Sequence, residues 1–455
     1  MPKPIAATLM AAVLCAACVQ RPVAPAAAAA VAGLQLAATP AQGPAAVTAP
    51  ALLTLDPAAL TLTRQRLESG DASLTAPFAA LRKRAERALT TPPRSVTHKT
   101  SMPPSGSKHD YMSMGPYWWP NPATPNGLPF VQRDGQRNPQ SAGDALDSER
   151  LQRMLADARD LALAYHFTGD ARFAKQAAVV IRTWFLDPAT RMNPSLRFAQ
   201  SIPGIVDGRG IGIIDTRDLW LVIDALALLA PAGDGLSIGE QQALRQWFAD
   251  YATWLHTSEL GRDEAAEKNN HGMFFDVQLA ALWLYVGETE RARQLVFDVQ
   301  RKRFAAQFDA AGRMPLELAR TRPYHYHTFT LQASTRLARY GQALAALPQP
   351  GGRWAATDPR CQPPALDLRC PLDLWRVSID GKSLAGVLDF VAAPVLNPKA
   401  WVHATALEPE PPLATAMPVL LAAQRALPPG RYGMALARLK ALTPDHVAWL
   451  LWPLP

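Results

Sequence analysis

At two places in this chain a helical stretch with apolar spacing stops at three residues containing a glycine and an acid, then resumes as a second helix. The first runs from about Asp144 to His166, breaks at Thr168-Gly169-Asp170 and continues from Ala171 to Phe185. The second runs from Phe275 to Tyr285, turns at Val286-Gly287-Glu288 and continues from Thr289 to Phe308. In the first helix Leu151, Met154, Leu155, Ala158, Leu161 and Leu163 fall at helical spacing, which makes one face apolar. Hairpins of this kind bury their apolar faces by packing side by side, so their repetition points to a solenoid or a closed ring. Asp56-Pro57 starts an earlier helix with a cap followed by proline. Further helices are expected over 216–229, 237–256, 328–347, 383–393, 412–426 and 433–442. Strand alternation is weak throughout. The expected fold class is all-α: an (α/α) toroid, an incomplete barrel of helical hairpins over residues 51–455, with long loops lining a cleft. Proline, 42 residues in all, is about twice its usual share and lies largely in those loops.

The first 50 residues have a different character. Residues 1–18 hold one lysine, an apolar Ala-rich run and the sequence Leu14-Cys15-Ala16-Ala17-Cys18, the layout of a secretory signal. A cysteine after two alanines also matches a lipoprotein cleavage site. A lipid anchor to the outer membrane through Cys18 is therefore expected, with a soluble periplasmic protein as the other reading. The apolar run is too short to span a bilayer. Residues 19–50 are mostly Ala, Pro and Val without periodicity and read as a disordered tether. About 400 residues remain, ample for a large core. A net charge of +8 and a pI near 9.4 favour a polyanionic partner. An exported protein meets acidic glycans or anionic membranes rather than nucleic acid. Cys361 and Cys370 are the one cysteine pair outside the leader, and in an oxidising compartment a local disulfide is expected. No metal or cofactor is expected, and the chain is expected to act as a monomer.

Three loop segments carry the candidate chemistry. The first runs from Lys108-His109-Asp110-Tyr111 through Tyr117-Trp118-Trp119-Pro120 to Arg133-Asp134. Exposed aromatic rings stack on sugar faces, while Arg, Asp and Asn bind hydroxyls and carboxylates. Trp118 and Trp119 read equally well as buried pins for the loop. The second segment, Lys268-Asn269-Asn270-His271-Gly272, precedes a helix, so its amides and imidazole lie where backbone N–H groups favour an anion. Asn gives a helix only one cap, which leaves the second amide to be explained. The third, Glu317 to His327, packs Arg320, Arg322, Tyr324, His325, Tyr326 and His327 just before another apolar helix. Arginine can neutralise a carboxylate, and a cation beside a tyrosine lowers its pKa.

These groups suit one reaction. A uronate C5 proton is not acidic until the C6 carboxylate is neutralised. Asn270 and Arg320 are candidates for that task, and His271 and Tyr326 for the base at C5 and the acid at the leaving O4. Two other readings stay open on the residues alone. A glycoside hydrolase would use a separated carboxylate pair drawn from acids such as Asp110, Asp215 or Glu317, and a glycan-binding lipoprotein would have no turnover.

The same segments, with Asn193-Pro194 and Gly208-Arg209-Gly210 through Asp215-Thr216, resemble the alginate lyase family of bacterial polysaccharide lyases, in its broader glucuronan/alginate lyase-like branch. The matching stretches span about residues 97–335 in the family's order. The resemblance implies an (α/α) toroid with a long cleft, β-elimination on a uronate polymer such as alginate or glucuronan, and no obligatory cofactor. It assigns catalysis to Asn270, His271, Arg320 and Tyr326. Substrate contacts are expected from Lys108, His109, Tyr111, Tyr117, Trp118, Trp119, Arg133, Asn269, Arg322, Tyr324 and His325. Tyr326 follows Arg320 by six residues, one fewer than in true alginate lyases, which keeps Tyr324 as a second candidate. Lys99 and Lys108 both match the family's N-terminal lysine.

Overall fold

The computed structural model describes residues 51–454 except 231–234, 350 and 362–366. The expected signal peptide, tether and Cys18 anchor lie outside the described residues. The fold is a succession of helical hairpins. The first pairs α1 (Pro57–Glu68) with α2 (Ala72–Thr90), and Asp56 caps α1 by accepting from the Ala58 and Ala59 N–H groups. In the next, α3 (Ser148–Thr168) ends at Gly169, whose φ of +72° only glycine adopts without strain, and Asp170 caps α4 (Ala171–Phe185). There follow α5 (Trp220–Leu229), α6 (Ile238–Thr257), α7 (Glu259–Ala266), α8 (Asn270–Val286) and α9 (Thr289–Val299). Gly287, at φ +92°, closes α8. A π-helical turn at Gln300–Phe304 leads from α9 into α10 (Ala305–Gln307). The chain then forms α11 (Pro315–Leu318), α12 (Pro323–Ala346), α13 (Leu384–Leu396), α14 (Met417–Gln424), α15 (Gly433–Leu442) and α16 (Ala448–Leu451).

Contacts between helices trace a ring. Helix α3 packs on α2, α4 and α5; α8 packs on α5, α6, α9 and α12; α12 packs on α13 and α14. Helix α16 then returns onto α1 and α2. This is the expected (α/α) toroid. Its apolar stripes form one continuous core, and α8 is buried on nearly every side from Met273 to Trp283, which is why its sequence shows no polar face. The seam is closed by polar contacts as well. Thr63 Oγ1 donates to the Leu450 carbonyl at 2.7 Å, and Arg425 pairs with Asp56 at 2.8 Å. Away from the seam, the Leu53 and Thr54 N–H groups and the Thr54 hydroxyl converge on the buried Asp224 carboxylate of α5 at 2.6, 3.2 and 2.5 Å. Burial pushes the Asp224 pKa up to about 6, although these three donors favour the carboxylate.

The few strands are short and serve the loops. Of β1 (Met112–Met114), β2 (Trp118–Trp119), β3 (Val131–Gln132) and β4 (Phe198–Ser201), β1 pairs with β4 in parallel and β2 with β3 antiparallel. Some boundaries and elements differ from expectation. Helix α12 begins at Pro323, five residues earlier than expected, because proline is well suited to the first helical turn; Tyr324 to His327 therefore lie on the helix rather than before it. Helix α7 was not expected, being short and mostly polar, with Ser258 as its cap. Cys361 and Cys370 are joined in a disulfide. No described helix is long and apolar enough to cross a membrane.

Replacing Asp224 by alanine leaves the Leu53 and Thr54 donors buried and unpaired. We expect a loss of about 2–3 kcal/mol, read as a lowered Tm in thermal unfolding; an unchanged Tm would show that this contact contributes nothing.

Candidate active site

Tyr326 stands on the first turn of α12, and its hydroxyl is met from two sides. Arg320 Nη2 donates to it at 2.7 Å, and the Tyr117 hydroxyl lies 3.0 Å away. The Arg320 guanidinium also covers the Tyr326 ring, 3.8 Å from its centroid. Arg320 is held in turn by Asp134, to which its Nε and Nη2 donate at 3.2 and 2.7 Å. Thr321 Oγ1 adds a third bond to Asp134 at 3.1 Å. The β2–β3 hairpin, flanked by Tyr117 and Asp134, is thereby fastened to the α11–α12 junction. Burial raises the Tyr326 pKa above that of an ordinary phenol, and Arg320, which acts in the opposite sense, does not overcome it. The expected lowering by a cation is present but outweighed, so Tyr326 is a proton donor at neutral pH. Burial also opposes ionisation of Asp134, but Arg320 and Thr321 hold its pKa below the usual carboxylate value.

The second half of the site is the start of α8. Asn269 is the cap, its side-chain oxygen accepting from the His271 N–H at 2.9 Å. Asn270 is buried, and its N–H and Nδ2 donate to the Glu317 carboxylate at 2.7, 3.1 and 3.0 Å. Glu317 belongs to α11, three residues before Arg320, so one buried acid ties the α8 start to the Arg320–Tyr326 pair. Burial raises the Glu317 pKa against the pull of the Asn270 donors. The amide expected to face a substrate carboxylate thus already holds a protein carboxylate. His271 keeps 17% of its side chain exposed and sets Nδ1 3.0 Å from Oε1 of Glu264, a fully buried residue of α7.

This turn is clamped from behind. Arg303, from the π-helical turn, donates to Asp276 of α8 at 2.7 and 3.1 Å and to the carbonyls of Glu267 and Ala265 at 2.7 and 2.9 Å. π-helical turns are often found where a function demands an off-register side chain. A methyl group at Gly272 would overlap both the Glu267 carbonyl and the Arg303 guanidinium, which explains the glycine after His271.

Around this centre lie half-buried rings covered by arginines. Arg209 sits 5.8 Å over Trp118 and Arg133 5.3 Å over Trp119, whose indole donates to the Gln136 carbonyl. The two tryptophans therefore pin the loop while staying partly accessible. His325 stacks on Phe329 at 5.9 Å, Phe329 carries Arg217 at 5.4 Å, and Arg322 is exposed at the α12 cap. Burial lowers the His325 pKa, and Arg322, Arg320 and Arg217 add to the effect. Gln200 adopts φ +47°, a strained conformation for a residue with a Cβ, and is held by Ser113 and Asp215. Among the described residues no three His, Cys, Asp or Glu side chains converge as metal ligands would.

Several residues expected to contact substrate have partners within the protein. Tyr111 is buried and donates to Asp215 at 3.0 Å, beside Ser113 and Gln200 at 2.5 and 2.9 Å. Tyr324 is buried and donates to the Val391 carbonyl at 2.8 Å. Two residues apart on a helix, Tyr324 and Tyr326 point to different sides, so Tyr324 does not substitute for Tyr326. Lys99 is buried in an ion pair with Asp147 at 2.9 Å, and the Lys108 amine donates to the Lys99 carbonyl. Both candidate lysines thus have inward partners. The His109 ring is tied to the Arg191 carbonyl at 2.7 Å. Asp134, Glu264, Arg209 and Arg217 are the neighbours that sequence reasoning did not assign.

The family model for alginate lyases matches residues 95–346, more than half of the chain. The chain belongs to the alginate lyase family. A crystal structure of an alginate lyase from Bacteroides ovatus is 30% identical, with a TM-score of 0.77 over 89% of this chain and 100% of that one. Alginate lyase A1-III from Sphingomonas species A1 shares the fold at 15% identity, with a TM-score of 0.51 over 89% of this chain and 98% of that one. A variant of A1-III complexed with a tetrasaccharide gives 15% identity and a TM-score of 0.52, over 89% of this chain and 97% of that one. No curated protein matches the chain. As a member of the alginate lyase family, the protein is a polysaccharide lyase acting on an acidic polysaccharide.

Gly272→Ala is expected to lower stability by about 1–3 kcal/mol through overpacking and to displace His271. Thermal unfolding checks the first effect and turnover the second; a variant as stable and active as the parent would show that the clamp is not tight.

Proposed function

We propose that the protein cleaves a uronate polymer of the alginate or glucuronan type by β-elimination. The observation that carries this reading is the Tyr326 hydroxyl, bonded to Arg320 and Tyr117 and linked through Glu317 to Asn270 and the neighbouring His271. Arg320 and the α8 N-terminus favour the negative charge that builds on the C6 carboxylate as C5 loses its proton. The C5–H and C4–O4 bonds break, C4=C5 forms, and the proton is delivered to O4. Tyr326, kept protonated by burial, suits delivery to O4. On D-mannuronate or D-glucuronate the two broken bonds lie on one face; Tyr326 must then first release its own proton to solvent, which Arg320 favours and burial opposes, before it takes the C5 proton and returns it to O4. On L-guluronate they lie on opposite faces, and His271 is the base. The acids a hydrolase would need are otherwise engaged. Asp215 accepts from Tyr111, Ser113 and Gln200, Glu317 from Asn270, and Asp110 from Ser105 and Asn193.

Incubation with mannuronan, guluronan and glucuronan is expected to give unsaturated products that absorb in the ultraviolet from at least one polymer. New reducing ends without that absorbance would refute elimination. Tyr326→Phe should lower turnover about 100-fold or more with little change in Tm. Tyr324→Phe should do the reverse, costing about 1 kcal/mol of stability while turnover persists. Export and anchoring through Cys18 belong to the same proposal: Cys18→Ala should move the protein from the membrane fraction to the soluble periplasm.

A further inference from the structure

Glu264 is a buried carboxylate with a single side-chain partner. Its Oε1 lies 3.0 Å from His271 Nδ1, and its Oε2 is buried with no hydrogen-bond partner. An ionised carboxylate in such a place depends on the one proton it is offered. Its helix is also fixed in position. A Cβ on Gly210 would collide with the Leu260 carbonyl and Asp263 of α7, and one on Gly261 would overlap the Leu255 carbonyl. The Arg303 clamp on the Ala265 and Glu267 carbonyls sets the far end of α7 against α8. Neither partner can easily move away from the other.

We infer that Glu264 is a positioning residue, which fixes His271 in the tautomer with its proton on Nδ1 and its lone pair on Nε2, the nitrogen left to meet a uronate sugar. A hydrogen bond to one ring nitrogen sets the role of the other. The inference rests on the elimination reading for the use made of Nε2, but not for the tautomer itself. Electrostatics make that nitrogen a stronger base. Burial disfavours the imidazolium, yet the charge and hydrogen bond of Glu264, helped by Glu267 and Glu317, raise the His271 pKa above the ordinary value. Burial raises the Glu264 pKa, with Asp215 and Glu267 adding to it and His271 opposing.

The test uses the full chain, with Glu264→Gln and Glu264→Asp. Nitrogen-15 NMR of the His271 ring, assigned by comparison with His271→Ala, should show Nδ1–H in the parent. In Glu264→Gln the His271 pKa should fall by about one unit or more, because a charge that favours the imidazolium is gone. The basic form of His271 then persists to lower pH, so on any substrate for which His271 is the base the acid limb of the kcat profile moves down. There kcat should fall about 10-fold or more with KM little changed, and Glu264→Asp, which keeps the charge, should recover part of both effects. An Nε2–H tautomer in the parent, or a His271 titration unchanged in Glu264→Gln, overturns the inference. If Glu264→Gln does not fold, the parent tautomer and the Glu264→Asp titration decide. Absence of unsaturated product from the parent would instead defeat the elimination reading and leave the NMR result standing.

Discussion

Glu317 is a carboxylate removed from water, and that is unfavourable unless every lone pair is used. Asn270 meets this need with its backbone N–H and its side-chain amide, which fixes the start of α8 against α11. Arg320 follows three residues later and Tyr326 six after that. The relative placement of His271, Arg320 and Tyr326 thus depends on one buried polar contact between segments 47 residues apart. Removing either partner would leave an unpaired group in the core and shift both halves of the site together.

A second constraint is that the site's main cation is already paired. Arg320 is forked onto Asp134 before it touches Tyr326. The fork holds the guanidinium in one orientation over the phenol ring, so its dipoles need not reorganise when charge develops on a sugar carboxylate. Around the fork, cations lie over rings: Arg209 on Trp118, Arg133 on Trp119, Arg217 on Phe329. Flat, cation-backed surfaces of that kind suit a polymer of charged sugar rings.

Much of this fold was legible in the chain because the signals are local. Gly169 and Gly287 end helices for a reason confined to their own backbone, and Asp56, Asp170 and Ser237 cap helices through neighbouring N–H groups. The candidate site was legible as three clusters. Asn270 and His271 lie in one and Arg320 and Tyr326 in another, which Glu317 ties to the first of these. Tyr117 and Asp134 of the remaining cluster meet Tyr326 and Arg320. What the chain could not reveal is direction. Tyr111 and Tyr324 stand in the right clusters but turn inward to Asp215 and the Val391 carbonyl. Lys99 and Lys108 likewise look available in sequence and are committed in space. Glu264 was not singled out, and Asp134 was named in its segment without a role, because each gains its role from a partner on another element.

The seam of the ring joins residues at the two ends of the described chain: Thr63 meets Leu450, 387 positions away. A contact at that separation gains nothing from its neighbours in sequence and carries a large loop-closure entropy until the intervening hairpins have condensed. During synthesis from the ribosome α2 can pack on α3 early, but the faces of α1 and α2 that meet α16 stay uncovered until that helix has emerged. Loss of α1 or of α16 would open the same joint, each uncovering the face that the other had covered.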